Sequence, residues 1–293
     1  MATITNQDIA VKLREAADLL QQQGANHFRV KAYRTAAQTV AALGEDATVL
    51  FDREGFDGLI ALPGIGRSLG AAIAEIVSTG RWVQLQRLRG AVEPQQLFQT
   101  VPGVGPELAR RIHDRLGVDT LEALEIAAHD GRLQKVDGIG PRRAAMINGA
   151  LANMLRRGRP QRTQGTRVPP VDQLLDVDRE YRERASAGNL EKIAPRRFNP
   201  NAEAWLPILH TQREAWHFTV LFSNTARAHD LDRVFDWVVV YFHSDDEPEG
   251  QCTVVTETRG ELLGRRVVRG REAECRAHYS GATAKGPAKG ISI

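Results

Sequence analysis

The sequence predicts a multidomain α+β protein, with an all-α first half followed by an antiparallel α+β domain. Three observations predict this division. A five-residue motif with two glycines occurs three times between residues 62 and 140, and apolar residues recur at helical spacing along the same half. From Trp205 onward the apolar residues follow the period of strands instead. With 293 residues, of which 42% are hydrophobic, the chain is long enough for about two domains.

The apolar runs, the first residues and the number of cysteines exclude several classes of protein. The longest apolar runs, such as 237–242, are too short to cross a bilayer, so we expect no contact with a membrane. The first six residues lack the basic-then-apolar pattern of a signal segment, and two cysteines, Cys252 and Cys275, are too few for a disulfide framework. These features predict a cytoplasmic protein.

Two predicted helices precede the repeated motif. Asn6 is the predicted N-cap of a helix that ends near Gly24, and a second helix is predicted from about Asn26 to Leu43. Their predicted buried faces are Ile9, Leu13, Ala16, Ala17 and Leu20 in the first helix, and Phe28, Ala32, Ala36, Val40 and Leu43 in the second.

The repeated motif has the form of a turn between two helices. It occurs at 62–66 as Leu-Pro-Gly-Ile-Gly, at 101–105 as Val-Pro-Gly-Val-Gly and at 136–140 as Val-Asp-Gly-Ile-Gly. A small residue follows four positions after the second glycine, and an isoleucine seven positions after it: Gly70 and Ile73, Ala109 and Ile112, and Ala144 and Ile147. These positions share one face of a helix. Each unit is therefore predicted to be a helix-hairpin-helix.

The glycines give each turn its predicted chemistry. A backbone without Cβ atoms can adopt positive φ and bring its N–H groups against a phosphate, and the helix that begins there adds its positive N-terminal end. Such contacts read no bases, so we expect sequence-independent binding of DNA. The predicted DNA-binding residues are Gly64, Ile65, Gly66 and Arg67, then Gly103, Val104, Gly105 and Arg110, and then Gly138, Ile139, Gly140, Arg142 and Arg143.

The third hairpin differs from the other two. Asp137 stands where the first two motifs have proline, and its negative charge lies where a phosphate would approach. Of the three, this hairpin is the one most expected to pack against its neighbours without touching DNA.

An arginine-rich stretch follows the hairpins. Residues 156–167 contain five arginines and no acid, and Pro169 and Pro170 come next, which predicts an exposed linker. Two interpretations stay open. The linker lies along the phosphate backbone, with Arg156 and Arg157 contacting DNA, or it is a soluble spacer.

One more helix and a set of strands are predicted in the second half. The helix is predicted over 171–187, and the strands over 205–211, 215–223, 235–243, 251–258 and 265–269. A last helix is expected near 270–279, before a disordered tail. The predicted domains are 1–90 and 91–155, both built on hairpins, a linker with a helix over 156–200, a strand-rich domain over 201–280 and the tail over 281–293.

Two features of the strand-rich domain are weaker candidates for a site. The polar loop 223–229 lies between two strong predicted strands. Cys275 and His278, with Cys252 and another histidine, leave a zinc site open, although a second close-spaced pair of ligands is missing.

The first half resembles the family X DNA polymerases. Residues 28–37 (FRVKAYRTAA), the first hairpin and the Ser-Thr-Gly at 78–80 are similar to the amino-terminal lyase domain of that family. The second hairpin with residues 116–124 is similar to its fingers region, and the third hairpin to the extra one of bacterial members.

The resemblance implies affinity for gapped, nicked or single-stranded DNA. It also implies a Na⁺ or K⁺ ion between protein and phosphate, held by the main-chain carbonyls of Leu62, Ile65, Val101 and Val104. The 5′-phosphate pocket of the family falls on Arg29, Tyr33 and Ser68, where Ser68 departs from the usual basic residue.

Two activities of the family lack their residues in this chain. The lysine of the lyase falls on Ala72, and a further basic position falls on Gln84. The 143 residues after position 150 are too few for a full palm and thumb. Neither Asp176 with Asp178 nor Asp230 with Asp232 has the sequence context of the metal-binding carboxylates. We therefore expect neither lyase nor polymerase activity.

The leading hypothesis is a non-enzymatic, sequence-independent DNA-binding protein that serves repair or recombination. One alternative is a family X-like nucleotidyltransferase or abasic-site lyase with unorthodox catalytic residues. The other makes residues 201–293 a protein-interaction module that the hairpins carry to DNA.

Overall fold

The computed structural model describes residues 4–90, 94–118, 121–156, 167–244 and 249–283. Helices fill its first half. They are α1 (Asn6–Gln22), α2 (His27–Ala41), α3 (Ala47–Ile60), α4 (Arg67–Thr79), α5 (Val83–Leu88), α6 (Pro94–Phe98), α7 (Pro106–Leu116), α8 (Leu121–His129) and α9 (Pro141–Arg156), with a 3-10 turn at Arg132–Lys135. The helical segments on either side of each of the three glycine motifs confirm the predicted hairpins.

The first helix begins at Asn6, one residue earlier than predicted. Thr5, not Asn6, is the N-cap, and the side chains of Thr5 and Asp8 each bond the backbone N–H of the other. Asn6 has a different task, because its Oδ1 accepts a hydrogen bond of 2.7 Å from the N–H of Ala47 at the start of α3. The predicted buried face of α1 is correct.

The predicted buried face of α2 is wrong at its beginning. Phe28 is 70% exposed and Ala32 is exposed as well. The prediction followed steps of four residues, and each such step turns about 40° too far, so that Phe28 lies about 120° away from Val40 around the helix. The side chains that face the core are Arg29, Val30, Tyr33, Ala36, Ala37 and Val40.

The second half forms an antiparallel sheet whose six described strands neighbour each other in chain order. They are β1 (Lys192–Ile193), β2 (Leu206–Arg213), β3 (Trp216–Phe222), β4 (Val238–His243), β5 (Gly250–Thr256) and β6 (Arg266–Val268). All five predicted strands are present. β1 was not predicted, because two residues are too few to show a period.

Three further helices accompany the sheet: α10 (Val171–Ser186), α11 (Ala226–Asp230) and α12 (Glu272–Thr283). α10 confirms the predicted helix over 171–187. α12 extends to Thr283, so the first residues of the predicted disordered tail are helical. The remainder of that predicted tail, 284–293, lies outside the described residues.

The sheet is covered on both faces. On one face α10 packs against β3, where the ring of Tyr181 lies 4.8 Å from that of Phe222 and its hydroxyl donates to the carbonyl of Pro207. On the other face Arg29 of α2 reaches Thr219. The predicted domains 1–90 and 201–280 thus contribute to one continuous hydrophobic core, whereas the second and third hairpins enclose a core of their own.

Among the described helices, none has both the length and the apolar character needed to cross a membrane.

Candidate nucleic-acid interface

The three glycine turns share one hydrogen bond. In each turn the N–H of the fourth residue donates to the carbonyl of the first: Ile65 to Leu62 at 3.1 Å, Val104 to Val101 at 3.0 Å, and Ile139 to Val136 at 3.0 Å. The first glycine of each turn has positive φ, which is +74° at Gly64, +84° at Gly103 and +87° at Gly138. L side chains rarely adopt this conformation, so the turn itself requires glycine at these positions.

The middle residue of each turn is buried, while the glycines on either side of it are exposed. Ile65, Val104 and Ile139 belong to the hydrophobic cores. They can therefore contact DNA only through their main-chain atoms. The small residue and the isoleucine that follow each turn are also buried, as the repeat predicts.

A helix begins directly after the second glycine of each turn. Gly66 and Gly105 are the N-caps of α4 and α7, and neither cap has a side-chain hydrogen bond. Pro106 and Pro141 are the first residues of α7 and α9. Because the N–H groups of a first helical turn have no partner inside the helix, each turn presents donors and a positive helix end to the surface. This is the geometry of an anion site at a helix terminus.

The arginines near the second hairpin are held by an acid. Arg110 and Arg111 both bond the carboxylate of Glu107, at 2.7 and 3.0 Å, and Arg110 also reaches Asp114. These hydrogen bonds lower the pKa of Glu107 to about 2, so it stays charged. The second hairpin therefore carries less net positive charge than its arginines indicate.

The second and third hairpins pack against each other. Arg111 donates to the carbonyl of Asp137 at 3.3 Å, and the side chain of Met146 on α9 covers Gly103 so closely that an added Cβ would lie 2.3 Å from its Cε. Within the third turn, Arg143 donates to the carbonyl of Gly138 at 2.9 Å. Arg143, predicted to contact DNA, therefore bonds its own turn here.

Helix α2 supports the first hairpin. The hydroxyl of Thr39 donates to the carbonyl of Pro63 at 2.9 Å. A Cβ added to Gly64 would lie only 2.9 Å from the methyl group of Thr35. The sequence contains no local signal for this contact, because the partners are far apart along the chain. Arg67 and Arg142, at the starts of α4 and α9, are exposed.

Two predicted phosphate ligands lie in the interior. Arg29 is 7% exposed, and its Nη1 lies 3.4 Å from the hydroxyl of Thr219. The hydroxyl of Tyr33 donates to Gln84 at 2.9 Å, and burial raises the pKa of this tyrosine. Arg29 lies beneath the sheet and Tyr33 beside Gln84 and Trp82, so neither can reach DNA in this arrangement. Ser68, the third member of the implied pocket, remains partly exposed on α4.

The carbonyls implied to hold a monovalent cation lie in the turns. Leu62 and Val101 each accept the turn hydrogen bond, which leaves one lone pair on each oxygen for a second partner. Carbonyl oxygens are suitable ligands for a hard cation, so the first two turns fit Na⁺ or K⁺. That ion stays a prediction.

The residues that stand at the catalytic positions of the family have structural contacts in this chain. Ala72 is buried in α4, and Gln84 accepts the hydrogen bond of Tyr33. Asp178, which is 1% exposed, forms a two-point ion pair with Arg266 at 2.6 and 3.0 Å. Asp176 on the same helix pairs with Arg213 at 2.8 Å.

In the described part of the chain, the residues of the zinc alternative do not form a cluster of ligands. There, no group of three or more His, Cys, Asp or Glu side chains is placed to hold a metal ion. Cys275 is fully buried, and its sulfur accepts the N–H of Val268. Burial raises the pKa of the Cys252 thiol to about 12.

The arginine-rich linker lies mostly outside the described residues, Arg157 included, and Arg156 is the last residue of α9. Its predicted contact with DNA stays a prediction.

Comparison with known proteins agrees with the geometry of the hairpins. Residues 4–82 match the family model "Helix-hairpin-helix domain", and residues 96–151 match "SAM-like Helix-hairpin-helix tandem". The chain is also 29% identical, over 181 residues, to the DNA polymerase/3′-5′ exonuclease PolX of Bacillus subtilis (strain 168). That match covers 61% of this chain and 29% of the relative, so the chain spans less than a third of that protein. The first half thus contains helix-hairpin-helix domains and resembles a family X DNA polymerase.

Proposed function

We propose that this protein binds DNA independently of sequence by gripping the sugar-phosphate backbone through its glycine turns, and that it serves repair or recombination on the nucleoid. The observation that carries the proposal is the common geometry of the turns. Each presents two exposed glycines and the free N–H groups of a helix start, and contacts from backbone groups to phosphates read no bases. The helix-hairpin-helix matches support DNA as the partner.

The first two hairpins are the proposed contact. The third is tied to its neighbours through Arg111 and closes its own turn through Arg143, and it carries Asp137 on its exposed side. We assign it the task of holding the second hairpin in place. By resemblance to family X polymerases, the preferred DNA is gapped, nicked or single-stranded, with Na⁺ or K⁺ between the carbonyls and a phosphate.

The proposal includes no polymerase or lyase catalysis. Ala72 offers no amine for a Schiff base, and it is buried in the core. Asp178 is committed to Arg266, and Asp176 to Arg213. These carboxylates stabilise the fold, and metal-assisted nucleotidyl transfer needs carboxylates that converge on a shared ion.

The test is an anisotropy titration of labelled DNA with the purified chain. Two duplexes of unrelated sequence, a gapped duplex and a nicked duplex would each be titrated at about 50 and about 200 mM salt. We expect equal affinity for the two duplex sequences. Because amides neutralise no phosphate charge, we also expect well under the ~10³-fold loss with salt that six or more neutralised phosphates produce.

Three results would contradict the proposal. They are no binding at the lower salt concentration, a strong preference between the two duplex sequences, and a salt dependence as steep as that of a basic tail. Borohydride trapping on abasic DNA and primer extension with Mg²⁺ or Mn²⁺ examine the absence of catalysis separately.

A further inference from the structure

A cleft lies between the end of α5 and one face of the sheet, where β3 ends and β4 begins. Leu221, Val239 and Tyr241 form its wall on the sheet side, and Arg87 and Gly90 line it from the helical side. It encloses about 600 Å³, including the solvent at its mouth. The enclosed space itself is about 80 Å³, which is room for about five to eight water molecules.

The polar end of the cleft is formed by the loop after β3. The hydroxyls of Ser223 and Thr225 are 3.2 Å apart and buried, and one O–H of such a pair remains to donate elsewhere. The amide of Asn224 donates to the carbonyl of Arg197 at 3.0 Å and bonds His229 at 2.6 Å through its oxygen. Its second N–H is not used by these bonds. Neutral donors and acceptors therefore converge at one end of an apolar cleft.

The cleft is joined to the second hairpin. Arg197, which lines it, bonds Asp114 at 3.1 Å and His113 at 3.0 Å, both on α7. The helix rises about 1.5 Å per residue, so these contacts lie about 12 Å along α7 from the turn at Gly105. A separation of about 12 Å is short enough for a DNA strand held at that turn to reach the cleft.

The neighbouring Phe198 is turned outward. Its φ is +53°, an uncommon conformation for a residue with a side chain, and its ring is 46% exposed. The ring packs at 4.3 Å from that of His229, which bonds Asn224 of the cleft. An exposed aromatic ring beside a DNA-binding element is a surface on which a base can stack.

The charges of the cleft indicate which part of a nucleotide it accepts. Arg87 is paired at two points with Glu249, at 2.8 and 2.9 Å, and its guanidinium lies 3.3 Å over the ring of Tyr241. Arg197 is paired with Asp114. Because both guanidinium groups already face a carboxylate, the cleft offers no uncompensated positive charge to a phosphate. Apolar walls and neutral hydrogen-bonding groups match a planar heterocycle instead.

We propose that this cleft binds an unpaired nucleobase of the DNA strand held by the second hairpin. The inference rests on the proposed function and names a further site for it: the hairpin grips the backbone, while Leu221, Val239 and the loop 223–225 take up a base. In a duplex the base is paired and stacked, and extruding it costs a few kcal/mol, so a gap, an end or a single strand supplies the base more readily. The cleft thus gives a physical reason for a preference between DNA structures.

The experiment combines a crosslink with a variant that fills the cleft. A gapped duplex with bromouracil at the unpaired position would be irradiated in complex with the full-length wild-type chain, and crosslinked peptides would be mapped. In parallel, Val239→Phe would be titrated with gapped and with intact duplex DNA. Phe28→Ala is the control, because Phe28 is exposed on α2 and does not line the cleft.

We expect crosslinks to Tyr241, to Phe198 or to the loop 223–225. We also expect Val239→Phe to bind gapped DNA about tenfold more weakly and duplex DNA within about twofold of wild type, with Phe28→Ala unchanged on both. Crosslinks confined to the hairpin turns, or equal losses on gapped and duplex DNA, would overturn the inference and leave the proposed function intact. A wild-type chain that binds neither DNA would overturn both. The crosslink needs no variant, so it decides the matter if Val239→Phe fails to fold.

Discussion

The guanidinium of Arg29 lies 3.4 Å from the hydroxyl of Thr219, and this contact joins the second helix to the third strand. Arg29 is one of the residues that the family resemblance assigns to a phosphate pocket, yet the sheet covers it. Its Nε and Nη2 atoms are buried with no hydrogen-bond partner among the described residues. A buried cation whose hydrogen bonds are incomplete is costly. The helical unit and the sheet therefore meet across a polar contact that carries an energetic penalty.

Replacing this cation tests whether Arg29 serves the fold or the DNA. We expect Arg29→Met to raise the free energy of unfolding by about 1–4 kcal/mol, because methionine fills similar space without a buried charge. Urea denaturation measures this change. We also expect unchanged affinity for gapped DNA, because the side chain is not accessible. A loss of DNA affinity, with the fold intact, would restore Arg29 as a phosphate ligand.

Two buried histidines near Arg29 make stability depend on pH. Burial holds the pKa of His210 and of His243 well below the usual range, and the positive charges of Arg29 and Arg87 lower it further. His217 faces His243 with ring centres 5.3 Å apart. Below about pH 6.5 the unfolded chain binds protons that the folded chain excludes, so the stability present at neutral pH is lost as the pH falls.

We therefore expect the free energy of unfolding to fall as the pH drops below about 6.5, by up to about 1.4 kcal/mol per pH unit for each of these histidines. His243→Phe keeps an aromatic ring and removes the titrating group. The dependence of its unfolding free energy on pH should therefore be less steep, by the equivalent of about one bound proton. Urea denaturation at a series of pH values measures both slopes. Parallel slopes for wild type and variant would show that His243 does not control this dependence. Arg29→Met should also flatten the slope, because it removes a positive charge that disfavours protonation.

Local patterns predicted the hairpins and much of the second half. The glycine motif fixes its own turn, because the positive φ and the turn hydrogen bond involve neighbouring residues only. The helix predicted over 171–187 is confirmed as α10, and in it the apolar stripe and the buried residues coincide.

The contacts that the sequence could not reveal are those between distant segments. Arg29 and Thr219 are 190 positions apart, and Arg87 and Glu249 are 162 apart. A basic residue on a predicted helix looks the same whether solvent or a sheet covers it. The cleft beside Asn224 could not be predicted for the same reason. The sequence shows that the loop 223–229 is polar, but it does not show which helix faces this loop.

The buried pair of Asp178 and Arg266 offers a test of the enzymatic alternative. Asp178→Asn removes one of the two carboxylates that bond Arg266, while Asp236 still bonds it at 2.8 Å, so we expect the free energy of unfolding to fall by about 1.5–3 kcal/mol. Asp176→Asn is the matched control on the same helix, where a partly exposed pair with Arg213 predicts a loss below about 1 kcal/mol. Thermal and urea denaturation measure both. If Asp178→Asn is as stable as wild type, the carboxylate is not structural, and a catalytic role has to be tested.

The second glycine of the second hairpin allows DNA contact to be separated from folding. Gly103 is unsuitable for this purpose, because its φ is +84° and an added Cβ would meet Met146. Gly105 has φ −83° and ψ 175°, which any residue adopts, and an added Cβ meets nothing within 4 Å. We therefore expect Gly105→Ala to lower the free energy of unfolding by less than about 1 kcal/mol, the cost of alanine at an N-cap.

The effect of Gly105→Ala on DNA should be larger than its effect on folding. Its methyl group would stand where a phosphate approaches the amides, and the loss of one hydrogen bond to a charged group predicts binding weaker by about tenfold or more. Gly140→Ala is the control, because the equivalent glycine of the third hairpin also has open space around its Cβ position. We expect that variant to bind as wild type does, since the third hairpin is assigned to packing. Equal losses from both variants would instead place the third hairpin on the DNA. No loss from either would remove the second hairpin from the contact and leave only the first to grip the backbone.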